Sequence, residues 1–163
     1  MKKLVLILLF AVSGFGQSIQ ERVKKFDNAK AYSVQYDKRV KETVIRYATS
    51  IKLPLLVYAT IADNGQTDYL LLHATTVQSK YYPMTMQLSL DGELMELDNV
   101  ENNGKIDNGV VFPITASELE RIANTKNVEL RFSYFEGKLD AKTLTGFRNM
   151  VSLGKPPTPV TPK

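Results

Sequence analysis

Apolar and polar positions alternate most regularly over residues 84–97, MTMQLSLDGELMEL. The dipeptide Asp91-Gly92 in the middle is a two-residue hairpin turn signal. Closing the chain there sets Leu90 opposite Glu93, Leu88 opposite Met95 and Met86 opposite Leu97. Met86, Leu88, Leu90, Met95 and Leu97 then share one face, while Thr85, Gln87, Ser89 and Glu96 share the other. Leu94 is the one apolar residue left on the polar face. A slip of one residue would bury Leu94 but expose the rest of the apolar set, so the pattern fixes the register.

Weaker versions of the same period surround this hairpin. PLLVYATIADNGQTDYLLLHATTVQ predicts strands over 54–62 and 68–78. Asn64-Gly65 between them supplies the positive-φ residues of a tight loop, and Pro54 suits a first strand position, where no ladder donor is required. Tyr32, Val34 and Tyr36 alternate, and so do Thr43, Ile45, Tyr47, Thr49 and Ile51. Over 38–52 a helical spacing of Val40, Val44, Tyr47, Ala48 and Ile51 competes with strand; the density of β-branched side chains decides for strand. VVFP at 110–113 is a short strand, and VELRFSYF at 128–135 reads as a strand buried on one side through Val128, Leu130, Phe132 and Tyr134.

Helical periods appear late in the chain. In ITASELERIANTKN, Thr115 and Glu118 have capping-box spacing, and Ile114 with Leu119 form a hydrophobic staple. Leu119, Ile122 and Ala123 make the buried stripe, and Asn127 can end the helix in the left-handed conformation. A second helix has Asp140 as N-cap, Leu139 and Leu144 as staple, Leu144, Phe147 and Val151 as stripe and Gly154 as stop. A short helix is a candidate near 18–27, with Ser18 and Glu21 at capping spacing and Ile19, Val23 and Phe26 on one face. The fold class is α+β: a mainly antiparallel sheet of about six to eight strands, with two late helices and the candidate N-terminal one.

The two ends read differently from the middle. MKKLVLILLFAVSGFGQS has a Lys2-Lys3 start, an apolar run over Leu4–Val12 and small residues Gly14 and Gly16 before Gln17. That is the layout of a signal peptide over 1–16. The apolar run is less than half of the roughly 20 residues a spanning helix needs. No cysteine occurs in the chain, which excludes lipid anchoring through Cys, disulfides, zinc–thiolate sites and thiol catalysis. Residues 17–154 are expected to form one domain, with 155–163, KPPTPVTPK, as a Pro-rich disordered tail.

Charge alters the picture modestly. The full chain has a net charge of +4, and cleavage of the leader would remove Lys2 and Lys3, leaving +2. That is too little for the basic footprint of a nucleic-acid binder. Its distribution is uneven: residues 17–53 hold nine basic and four acidic side chains, a net of +5, and residues 54–112 hold two and eight, a net of −6.

Candidate chemistry is sparse. NVENNGKIDNGV at 99–110 lays oxygen side chains at positions 1, 3, 5 and 9 of a calcium-loop pattern: Asn99, Glu101, Asn103 and Asp107. Position 12, which should carry a bidentate Glu, is Val110, so the stretch reads as a turn-rich connection between strands. His73 is the only histidine, in phase with Tyr69 and Leu71 on a predicted strand, and no G-x-S-x-G elbow accompanies it. Glu93 and Glu96 fall on opposite faces of the hairpin, so they do not flank one bond as a glycosidase pair must. Tyr81 and Tyr82 are the candidate partner surface. These features point to an exported, non-catalytic binding or structural domain of the cell envelope or extracellular space. Its expected partner is a protein or glycan, with no cofactor, no nucleic acid and no transmembrane span after cleavage. An envelope hydrolase without a visible motif, or a carrier of an apolar ligand using the face at 86–97, are the alternatives.

Overall fold

The computed structural model describes residues 19–53, 55–74, 85–100, 109–132 and 135–155. Its elements are α1 (Ile19–Lys24), a 3-10 turn (Ala29–Ala31), β1 (Tyr32–Asp37), β2 (Glu42–Ala48), β3 (Leu55–Ala62), β4 (Thr67–Ala74), β5 (Thr85–Leu90), β6 (Glu93–Asp98), β7 (Gly109–Ile114), α2 (Ala116–Asn124), β8 (Val128–Phe132), β9 (Phe135–Lys138) and α3 (Ala141–Gly154). The fold is α+β. Among the described residues, the strands form two antiparallel sheets, β1-β2-β3-β4-β7 and β6-β5-β8-β9.

The hairpin at 84–97 pairs as its pattern dictates: Leu90 with Glu93, Leu88 with Met95, and Met86 with Leu97. Asp91 and Gly92 both take positive φ, 50° and 95°, the backbone a two-residue hairpin of this kind requires. Leu94 is 61% exposed. On the solvent face, Gln87 Nε2 donates to Glu96 Oε1 at 2.8 Å and Thr85 Oγ1 to Asp98 Oδ1 at 3.1 Å. The apolar face continues into β8, where Leu88 lies beside Leu130 and Leu90 beside Val128.

Residues 42–48 are strand, as their β-branched density predicts, and β2 pairs on both sides. The strands predicted at 54–62 and 68–78 appear as β3 and β4, with residues 75–78 outside the described ones. β3 is buried on both faces over Leu55–Ala59. Its inward residues Leu55, Val57 and Ala59 join the main core, while Leu56 and Tyr58 join Leu72 and Val111 in a second apolar cluster.

One core holds the two sheets and the helices together. The inward faces of both sheets, α2 and α3 all contribute to a single cluster of buried side chains. Phe112 of β7 meets Phe132 of β8 edge to face, ring centroids 5.2 Å apart, and so joins the two sheets. α2 begins at Thr115 with a complete capping box: Thr115 Oγ1 accepts from the Glu118 N–H, and Glu118 Oε2 accepts from the Thr115 N–H at 2.8 Å. α3 begins at Asp140, whose Oδ1 accepts from the Thr143 N–H at 2.7 Å. Leu144, Phe147 and Val151 are all buried, and Met150 and Leu153 extend that stripe.

Four local expectations differ from the structure. The strand expected over 128–135 stops at Phe132, Tyr134 lies outside the described residues, and Phe135 opens β9, which pairs back onto β8. α2 ends at Asn124, and its C-cap Thr125 is extended at φ −73°. Asn127 is not a left-handed stop. Its side chain and backbone N–H both donate to Asp91 Oδ1, at 2.9 and 3.0 Å, and lock the β5–β6 turn to the entry of β8. Gly154 is the last residue of α3 and lacks positive φ; its role is space, because a Cβ there would overlap the Tyr69 hydroxyl. The N-terminal helix is shorter than 18–27 and stops at Lys24.

Candidate functional site

After α1 the chain does not run straight into the sheet. The Phe26 N–H donates to the Val23 carbonyl at 3.0 Å, Ala29 to Phe26 at 3.1 Å and Ala31 to Asn28 at 2.9 Å. These tight turns carry the Phe26 ring to within 5.4 Å of the Tyr32 ring at the start of β1. Tyr32 lies opposite Tyr47 in the β1–β2 ladder, and their rings are 4.8 Å apart and tilted by 30°. Cross-strand aromatic pairs of this kind add to sheet stability beyond the area they bury.

α3 closes the other side. Tyr47 is 1% exposed, and it reaches that burial because residue 146 is glycine: a Cβ there would overlap Cζ, Cε1 and the hydroxyl of Tyr47. Tyr47 also meets Phe147 edge to face, 6.5 Å apart at 88°. Its hydroxyl donates to the Lys142 carbonyl at 3.3 Å. Asn149 Nδ2 donates to the Tyr32 hydroxyl at 3.0 Å. At the far end of the helix, Arg22 of α1 donates to the Ser152 and Leu153 carbonyls at 2.5 and 3.3 Å. That contact ties α1 to the C-terminal end of α3, where carbonyls have no partner in the helix.

Between these elements lies a cleft of about 580 Å³. Phe26, Tyr32 and Tyr47 form its aromatic wall, Gly146 and Asn149 its helical wall, and Lys25, Asp27 and Lys142 its rim. A second depression of about 500 Å³ lies at the start of α2, beside Asp68 and Glu118.

Burial favours the neutral form of the cleft tyrosines, and hydrogen bonding favours the ionised form of Asp140 at the neighbouring N-cap of α3. Burial pushes the Tyr47 phenol up to about 12, with Tyr32 and Asp140 adding to the shift and a hydrogen bond with Thr143 opposing it. Burial likewise raises Tyr32, against the Asn149 hydrogen bond. Partial burial works to raise Asp140, but hydrogen bonds from the Thr143 side chain and N–H and from Ser50 outweigh it and hold the carboxyl below its usual value.

A group with a raised folded pKa stabilises the fold fully below its unfolded value, near 10, and loses that contribution as pH rises through the folded one. Between pH 10 and 12 the unfolded chain sheds the Tyr47 proton while the folded chain keeps it. Urea midpoints should therefore hold steady up to about pH 9.5 and then fall, with about 2 kcal/mol lost to Tyr47 by pH 12. Tyr47→Phe should flatten that slope. An unchanged slope in the variant would mean that the phenol titrates from an exposed position.

The residues singled out from sequence fall elsewhere. His73 is buried on the inward face of β4, its ring 5.2 Å from Phe132, which makes it part of the junction between the sheets. Glu93 pairs with exposed Arg121 at 2.5 Å, and Glu96 lies on the opposite face with Gln87. Asn99 is half-buried between β6 and the isolated Val100–Val111 bridge. Glu101, Asn103 and Asp107 of the calcium-loop pattern lie outside the described residues, as do Tyr81 and Tyr82. Among the described residues, no group of three or more His, Asp or Glu side chains is placed to hold a metal. No described helix is long and apolar enough to cross a membrane. The cleft residues are not evident from the sequence because they come from two segments, within 25–47 and 141–149, that lie far apart along the chain. The available signals were Gly146 inside a helical pattern and Tyr32 and Tyr47 on alternating strands.

No family model matches the chain, and no curated protein matches it. Among solved structures, the chain is similar to the crystal structure of invasion associated protein b from Bartonella henselae, at 11% identity and a TM-score of 0.41, over 75% of this chain and 92% of that one.

Proposed function

We propose that the protein is an exported, non-catalytic binding domain of the cell envelope or extracellular space, and that the cleft between the 25–28 turn and α3 holds its ligand. The observation that carries this reading is the fixed aromatic wall. Tyr32 is held by Asn149 on one side and by the Tyr47 ring on the other, so its rotamer is set before any ligand arrives. Pre-set aromatic surface costs little ordering entropy on binding. The rim adds two lysines, and Asn28 and the helical-wall Asn149 add two amides, which supply orienting hydrogen bonds.

Two alternatives have weaker support. A hydrolase needs a general acid or base poised near neutral pH. Here the Asp140 carboxyl is moved down and the Tyr47 phenol up, both away from that range. A carrier would line a cavity with the Met-bearing face of β5 and β6, but Met86, Leu88, Leu90 and Leu97 are already packed in the core.

Two measurements test the proposal. Mass spectrometry of the protein from its native host should find a chain starting at Gln17 or Ile19; a mature species retaining Met1 would remove export. Aromatic NMR spectra should show the Phe26 and Tyr32 signals moving on titration with one class from a panel of oligosaccharides, peptidoglycan fragments and short peptides. A panel that leaves both rings unmoved would sink the cleft as the binding site.

A further inference from the structure

The cleft opens at the end of a strand whose outer edge is unoccupied by any other described strand. β1 pairs with β2 over six consecutive positions without a bulge, and nothing among the described strands pairs with its other side. In an antiparallel ladder, alternate residues of an edge strand turn their N–H and C=O groups outward. A six-residue strand therefore offers three such residues.

Native proteins usually blunt an edge of this kind, and the other three here are blunted. β9 is four residues long, with Glu136 and Lys138 engaged by Arg131 and Glu129. β6 carries Glu93, Glu96 and Asp98. β7 contains Pro113, and its free side is bridged at Val111 by the Val100 N–H at 2.9 Å. β1 reads YSVQYD: no proline, no glycine, no lysine, and one charge at its end. Tyr36 stands 47% exposed on it.

We propose that β1 takes up an extended acidic peptide of a partner protein as a sixth strand of the larger sheet, with one guest side chain seated in the cleft against Phe26, Tyr32 and Lys142. This deepens the reading of the cleft as a binding site and rests on it. The seating follows from the pleat. A guest residue directly opposite Tyr32 projects to the same face as Tyr32, and that is the face on which the cleft lies.

Charge selects the guest. The segment that carries β1, residues 19–53, has nine basic and four acidic side chains. Lys30 precedes the strand, and Lys38, Arg39 and Lys41 follow it. Complementary charge steers association and suppresses wrong partners. The same charge argues against a second copy of this chain, because two-fold pairing of β1 with itself would set one basic segment against another. A glycan fits less well than a peptide. Tyr47 is almost wholly buried and one face of Tyr32 is covered by it, so little flat ring surface is left for a sugar, whereas a strand draws its affinity from main-chain hydrogen bonds.

The test uses the full chain and labelled octapeptides. One alternates glutamate with valine and tyrosine, and its counterpart has lysine in place of every glutamate. Fluorescence anisotropy should show binding of the acidic peptide and at least about tenfold weaker binding of the basic one. N-methylation of one alternate set of the acidic peptide's amides should abolish binding, and methylation of the other set should leave it within about twofold, because only one edge of an added strand pairs. Outward amides within residues 32–37 should exchange more slowly in the complex, and Lys142→Glu, at an exposed position, should weaken the acidic peptide severalfold. Equal binding of both charge forms, indifference to both methylation sets, or no binding at about 1 mM would overturn the proposal, as would sedimentation showing a dimer that excludes the peptide. If the peptides fail while an oligosaccharide moves Phe26 and Tyr32, strand addition falls and the cleft stands. If nothing moves those rings, both fall.

Discussion

Phe147→Ala should cost the fold about 3–5 kcal/mol, the range for truncating a buried phenylalanine in a core. Phe147 is 0% exposed and is part of the main buried cluster. It lies on the α3 stripe with Leu144 and Val151, and its ring meets Tyr47 edge to face. The truncation therefore leaves a cavity between α3 and the larger sheet and removes an aromatic contact. Deleting residues 155–163 is the matched control. That deletion takes away the Lys155 ammonium, which pairs with Glu120 at 2.9 Å with both side chains about half exposed, and exposed pairs are worth at most about 1 kcal/mol. Urea melts of the two variants should separate by several kcal/mol. A tail deletion as costly as Phe147→Ala would mean that the domain does not end at Gly154.

Phe147 belonged to the part of the fold that one-dimensional patterning discloses. Its stripe, the Asp140 cap, the Thr115–Glu118 capping box and the β5–β6 register each depend on residues within a few positions of one another, so local spacing is enough. β9 was invisible for the opposite reason: it has four residues, and Gly137 interrupts them, leaving no alternation to count. The division into two sheets depends on Phe112 meeting Phe132 and on β8 pairing with β5 rather than with β7, choices made by tertiary packing. Asn127 has the residue type of a helix stop, yet a partner 36 positions away, Asp91, claims it. The cleft was the least legible feature. It joins Phe26, Tyr32 and Tyr47 to Gly146 and Asn149 across about a hundred residues, and nothing in the pattern of either segment reports that they meet. Tyr81 and Tyr82 are adjacent in sequence, which is no guide to which rings converge in space.

Gly146→Ala should destabilise the protein by about 1–3 kcal/mol, against the sign that helix propensity gives. In an exposed helix interior the same change stabilises by up to about 1 kcal/mol. At 146 the new methyl has no room, since it would overlap the hydroxyl-bearing edge of the Tyr47 ring, and overpacking a filled core costs the stated amount. Tyr47 has little freedom to yield. Phe147 stands at its edge and Tyr32 lies 4.8 Å away on its other side. The conflict is pairwise, so it should be non-additive: in Tyr47→Leu, where the ring is gone, Gly146→Ala should cost at least about 0.5 kcal/mol less than in the parent. Thr145→Ala, one position along on the exposed face, should be near neutral. The same displacement should reach function, because a Tyr47 ring pushed outward moves Tyr32 and so the wall of the cleft. Gly146→Ala should then weaken whatever ligand shifts the Tyr32 signals, in a protein that still folds. A stabilising Gly146→Ala would mean that the ring does not lie against α3, and the aromatic wall on which the binding proposal rests would be lost with it.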